Sequence, residues 1–112
     1  MDTKASIAEM KDQLRALNRA HPDATRGFGA MQNAIKEGGV LGVKEKEFVA
    51  LGIAIATHCM ACIEFHVDAL MKAGASREEM ADICAVAINM AGGPGLMYGA
   101  KALAVWDQLA EG

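Results

Sequence analysis

The sequence predicts an all-α fold of about six helices, and three observations predict it. Alternating apolar and polar residues, the mark of a strand, are nowhere found. Isoleucine and valine instead recur at helical spacing in an alanine-rich chain. Helix start and stop signals then divide the chain into segments of ordinary helical length, with short connections between them.

Ile7, Met10, Leu14 and Leu17 fall on one face of a first amphipathic helix of about four turns within residues 1–20. "HPD" at 21–23 breaks it. Pro22 or Asp23 opens a second helix through Phe28, Met31 and Ile35, which stops at Gly38-Gly39. A third runs from about Val43 to Thr57, and its interior "FVALGIAIA" is apolar nearly all round, as befits a central helix. The fourth spans roughly 59–73 and ends before Gly74, a suitable C′ residue. Ser76 and Glu79 form a capping box for the fifth. "GGPG" at 92–95 is the last break, and Pro94 starts a sixth helix that reaches about Leu109. With no repeat, linker or low-complexity tract, residues 1–112 are expected to form a single helical domain.

Composition narrows the function. Hydrophobic residues make up 53% of 112 residues and mean hydropathy is +0.17, which is rich for a chain with so much surface to cover. Burial of apolar surface against other copies of the chain resolves the excess, and eight methionines suit such packing. A net charge of −3 gives no basic footprint for nucleic acid. The longest weakly charged stretch, about 48–63, is short for a bilayer span and carries His58 and two cysteines. The N-terminus lacks the pattern of a signal peptide, so the expected compartment is the cytoplasm. There a Cys-x-x-Cys is more often catalytic or metal-binding than a structural staple.

That motif lies in "THCMACIEFHVDAL", where Cys59, Cys62 and His66 follow Cys-x-x-Cys-x-x-x-His. On a helix, Cys59 and Cys62 are neighbours, as are Cys62 and His66. Unpaired N–H groups at the helix start favour a thiolate on Cys59, whereas His66 can take a proton from Cys62. Position alone leaves open which sulfur is the more acidic. Two sulfurs in a first helical turn can close a disulfide, so the trio reads as a thiol pair in which one sulfur attacks and the other resolves. If the third and fourth helices form an antiparallel hairpin turning near 57–59, Glu47 sits about 16 Å and His66 about 12 Å from the turn at ~1.5 Å per residue. A glutamate at that height can reach the imidazole, fix its tautomer and raise its basicity.

The plainer readings are packing. Cys84 in "ADICAVAI" reads as core, His58 as a surface residue at a helix junction, and Tyr98 and Trp106 as packing or subunit contacts. The glycines at 92, 93 and 95 lack the order of a phosphate loop. A zinc site would need a fourth ligand beside Cys59, Cys62 and His66, from Glu47 or His58, and would have to span two helical turns. Neither metal nor cofactor is expected.

The stretch "LGVKEKEFVALGIAIATHCMACIEFHVDALMKAGASREEMADICAVAINMAGGPGLMYGAKAL" resembles the carboxymuconolactone decarboxylase-like superfamily, and most closely its thiol branch, the alkylhydroperoxidase D-type proteins. The likeness runs from about Pro22 to Leu109. Its signature is a glutamate, a Cys-x-x-Cys twelve residues on, and a histidine four beyond the second cysteine, here Glu47, Cys59, Cys62 and His66. The resemblance implies an orthogonal helical bundle assembled as a homotrimer or homohexamer. It implies that Cys62 attacks a hydroperoxide, that Cys59 condenses with the resulting sulfenic acid, and that His66 and Glu47 relay protons. A thiol reductant must then regenerate the pair. The fuller peroxidases carry a histidine between the cysteines, where this chain has Met60 and Ala61. Members that decarboxylate a muconolactone lack the cysteine pair. The alternatives are such a lactone or decarboxylation enzyme using His66 and Glu47 alone, or a non-enzymatic oligomeric redox sensor.

Overall fold

The computed structural model describes residues 2–112, which form six helices and no strand: α1 (Thr3–Ala20), α2 (Pro22–Glu37), α3 (Val43–Ala56), α4 (Met60–Lys72), α5 (Arg77–Ala91) and α6 (Gly93–Glu111). The expected order and breaks are all present. None of these helices is long and apolar enough to cross a membrane.

Local chemistry accounts for the ends. Asp2 Oδ1 accepts the Ala5 N–H to start α1, and Pro22 occupies the first turn of α2. The Ser76 hydroxyl takes the Glu79 N–H at 3.1 Å while the Glu79 carboxylate takes the Ser76 N–H at 2.9 Å. That N–H, and then Lys44, hold the Glu79 carboxyl below its ordinary pKa. The Lys44 contact also ties the start of α5 to α3.

Helices α3 and α4 end in the same Schellman turn. After α4, Ala75 N–H reaches Leu70 O and Gly74 N–H reaches Met71 O, with Gly74 at φ 86. After α3, Cys59 N–H reaches Ala54 O and His58 N–H reaches Ile55 O. There the left-handed position, φ 59, is held by a histidine where glycine is usual.

The core lies among α3, α4, α5 and α6. Leu51, Ile55, Ile63, Val67, Leu70, Met80 and Val105 are sealed from solvent. Gly95 lets α5 and α6 approach closely, since a Cβ there would lie 2.8 Å from Ala87 O. The first turns of α1 join this body through Ile7, through Thr3, whose N–H donates to Gln108 Oε1, and through the Ser6 hydroxyl, which donates to Glu64 at 2.8 Å. Glu64 is only 5% exposed, so this bond satisfies a buried carboxyl group.

The structure corrects the sequence reading in two places. Only Ile7 of the expected α1 stripe is buried; Leu14 and Leu17 are exposed because α1 runs past the body. Helix α3 is central on one side only, since Val49 and Ile53 face out. An all-apolar helix predicts burial all round, and among the described residues nothing covers that second side.

Candidate active site

The site forms where α3 turns into α4. The Schellman turn delivers Cys59 in an extended conformation (φ −97, ψ 94) as the N-cap of α4. Its Sγ accepts the Cys62 N–H at 3.2 Å. Cysteine thus does what serine or aspartate does at other helix starts, placing sulfur against the positive end of the helix dipole. Cys62 lies in the first turn, with its Cα 5.2 Å from that of Cys59, and the two are joined as a disulfide. Both residues are half-buried, and Cys62 packs against the core.

One turn further along α4 stands His66. Its Nδ1 lies 2.6 Å from Glu47 Oε2, across the antiparallel pair from α3. Glu47 reaches it because Leu51, Ala54 and Ile55, on the same face of α3, are buried against the body. With the carboxylate ionised, Nδ1–H donates to Glu47, and Nε2 is the nitrogen left to exchange a proton. Both side chains are partly exposed, at 30% for His66 and 23% for Glu47. The structure therefore brings together all four residues singled out in the sequence, as two adjoining pairs: Cys59 with Cys62, and His66 with Glu47.

The remaining candidates fall elsewhere. His58 is exposed at the junction and stacks on Tyr98 of α6, with ring centroids 4.8 Å apart and planes at 13°. That contact was not legible from spacing. The only hint was a non-glycine residue directly after a helix end and before Cys59. Trp106 is buried packing. The Cys84 thiol is buried, donates to Gly99 O at 3.4 Å, and burial raises its pKa. Among the described residues, no three of His, Cys, Asp and Glu come together as a metal-ligand group.

Residues 22–105 match the sequence pattern of the Carboxymuconolactone decarboxylase family. An uncharacterised protein of Cupriavidus necator is 37% identical over 108 residues, covering 96% of each chain. An uncharacterised protein from the cox locus of Paracoccus denitrificans is 30% identical over 104 residues, covering 93% of this chain and 94% of its own. Among solved structures, a carboxymuconolactone decarboxylase family protein of Legionella pneumophila superposes with a TM-score of 0.90 at 35% identity, covering 96% of this chain and 97% of its own. One from Thermotoga maritima gives 0.84 at 24% identity, over 95% of this chain and 91% of its own, a likeness of fold. On these matches the chain belongs to the carboxymuconolactone decarboxylase family.

Proposed function

We propose that the protein is a thiol-dependent hydroperoxidase of the alkylhydroperoxidase D-type branch, cycling the Cys59–Cys62 pair between dithiol and disulfide. The observation that carries this reading is the joined pair of sulfurs at the start of α4, one helical turn from an imidazole already bound to Glu47.

In the reduced enzyme, His66 takes the Cys62 thiol proton. The Cys62 thiolate attacks one peroxide oxygen, the O–O bond breaks, and the departing alkoxide takes the proton back from the imidazolium to leave as an alcohol. Cys62 is now a sulfenic acid. The Cys59 thiolate attacks that sulfur, the S–S bond forms, the S–O bond breaks, and hydroxide leaves as water after protonation. Throughout, Glu47 keeps Nδ1 engaged so that Nε2 handles the proton, and its charge stabilises the imidazolium.

Regeneration draws on the N-cap. An incoming thiolate that attacks Cys62 expels Cys59 as a thiolate, and the Cys62 N–H together with the helix dipole receive that charge. A second external thiol then releases the reductant as its own disulfide. The same exchange step makes disulfide oxidoreduction with a partner thiol the companion activity, and no bound cofactor is needed for either.

Steady-state consumption of tert-butyl hydroperoxide with dithiothreitol as reductant tests the proposal. Wild type should turn over and Cys62→Ser should fall to background. Turnover that survives Cys62→Ser would remove the thiol mechanism and leave His66 and Glu47 as the chemistry of a lactone or decarboxylation enzyme.

A further inference from the structure

The left-handed position of the turn between α3 and α4 is held by a residue that does not favour it. Its counterpart after α4 is Gly74 at φ 86, where no Cβ is present to clash. Here, at φ 59, stands His58, the residue directly before Cys59. A Cβ is disfavoured in this conformation, and a side chain persists there where its surroundings hold it. What holds His58 is a ring from another helix. Its imidazole lies on Tyr98 of α6, with centroids 4.8 Å apart and planes at 13°. Tyr98 is a firm support, because it packs against the core. One turn before it, Gly95 lets α6 approach the backbone of α5, and directly after it Gly99 O takes the Cys84 thiol.

The placement of Cys59 depends on this turn. Met60 and Cys62 lie within α4 and pack against the core, so the helix itself fixes them. Cys59 is the cap, in extended conformation outside the helix. Its N–H reaches back to Ala54 O at 3.1 Å, and its Sγ accepts the Cys62 N–H at 3.2 Å. Both bonds need residue 58 in its left-handed conformation, which is what reverses the chain there. In the disulfide, the S–S bond ties Cys59 to α4 whatever the turn does. In the dithiol and the sulfenic acid that tie is gone. A turn with a disfavoured residue and no other hold would then relax and carry Cys59 away from Cys62.

We infer that the His58–Tyr98 stack is a clamp that keeps Cys59 at the start of α4 in the reduced protein, and that His58 is a positioning residue for closure of the Cys59–Cys62 disulfide. The inference rests on the thiol-cycling reading and adds to it the device that presents the resolving sulfur. His58 acts through the face of its ring, so it takes up no proton and no electron in the step. Closure is an intramolecular attack, and its rate follows the alignment of the two sulfurs, with a misplacement of about 1 Å able to cost ~10²-fold.

The first readout needs no peroxide. The full chain is equilibrated with reduced and oxidised glutathione, alkylated, and its dithiol and disulfide forms are counted by mass spectrometry. His58→Ala keeps the Cβ and loses the ring, and should move the equilibrium about tenfold toward the dithiol. Tyr98→Leu should do the same, and carries the test should His58→Ala not fold. His58→Phe, which stacks but has no ring nitrogen, and Tyr98→Phe should both match wild type. The second readout follows tert-butyl hydroperoxide with dimedone as the trap. His58→Ala should form the Cys62 sulfenic acid at the wild-type rate but close the disulfide about 10- to 100-fold more slowly, so that the dimedone adduct builds up. A His58→Phe that behaves like His58→Ala overturns the clamp and makes the imidazole an acid or base. An equilibrium unmoved by the loss of either ring overturns it too, and so does equal slowing of both steps, the mark of a merely structural lesion. Failure of the hydroperoxidase reading looks different. No sulfenic acid then forms even in Cys59→Ser, while the glutathione shift remains and still supports the clamp.

Discussion

The body of the molecule, α3 to α6, and helix α2 carry apolar residues at the same helical spacing and meet opposite fates. Leu51, Ile55, Ile63 and Leu70 are sealed from solvent, while Phe28, Met31 and Ile35 stand out in it. Periodicity reports that a helix has an apolar face but says nothing of which surface covers it. In the body the cover comes from neighbouring helices of the same chain, and there the fold assembles the candidate site. The buried face of α3 aims Glu47 across at His66, and the turn between α3 and α4 sets Cys59 at the start of a helix. Helix α2 contributes none of these residues, and its apolar face is uncovered among the described residues.

The largest separation between the regions should appear in catalysis. His66→Gln, which removes the proposed base while keeping a hydrogen-bonding side chain, should lower peroxide turnover about 10²–10⁴-fold. Glu47→Gln should cost about 1.5–3 kcal/mol of transition-state stabilisation through loss of a charged hydrogen bond, or roughly 10- to 100-fold in rate. Met31→Glu on α2 should leave peroxide-driven formation of the Cys59–Cys62 disulfide intact. Stopped-flow peroxide kinetics on the three variants would show whether the chemistry belongs to the body alone.

Stability should divide the same way. Ile63→Ala opens a cavity in a sealed core and should cost about 2–5 kcal/mol in urea unfolding. In the monomeric chain, Ile35→Ala on α2 should shift stability by no more than about 0.5 kcal/mol. A large loss from Ile35→Ala in that state would show that α2 is part of the monomer's core.

A finer comparison sets the two Schellman turns against each other, one with Gly74 and one with His58 at the left-handed position. A non-glycine residue there costs roughly 1–2 kcal/mol, which the stack on Tyr98 offsets in part. His58→Gly should therefore be more stable than His58→Ala by about 1 kcal/mol, because both lose the ring and only glycine relieves the backbone. Equal stabilities would mean that the turn is unstrained.

The smallest effect concerns the third cysteine. Burial raises the Cys84 pKa and keeps it a neutral thiol at pH 7. Native protein treated with dithiothreitol and then iodoacetamide should be alkylated at Cys59 and Cys62 well before Cys84, as read by peptide mass spectrometry.

Most of this organisation was legible in the sequence, because it rests on local chemistry. Pro22, Gly38, Gly74, the Ser76–Glu79 box and the 92–95 break mark helix ends by backbone rules that act within a few residues. The placement of the candidate residues was legible for a related reason: Cys62 and His66 lie one turn apart on α4, Cys59 caps its start in extended conformation rather than in the helix, and one hairpin is enough to bring in Glu47. What escaped depends on distant elements. The His58–Tyr98 stack joins residues 40 apart in the chain. The Ser6–Glu64 bond joins residues 58 apart. The outward turn of Val49 and Ile53 follows from the placement of whole helices, which no local pattern encodes.

The most direct measurement counts free thiols by mass spectrometry before and after one equivalent of tert-butyl hydroperoxide, on wild type and on Cys59→Ser. The account predicts that wild type loses two thiols to a Cys59–Cys62 disulfide, and that Cys59→Ser accumulates a sulfenic acid on Cys62. Thiols that survive the peroxide in both proteins would contradict it, and so would a sulfenic acid that forms on Cys84 instead.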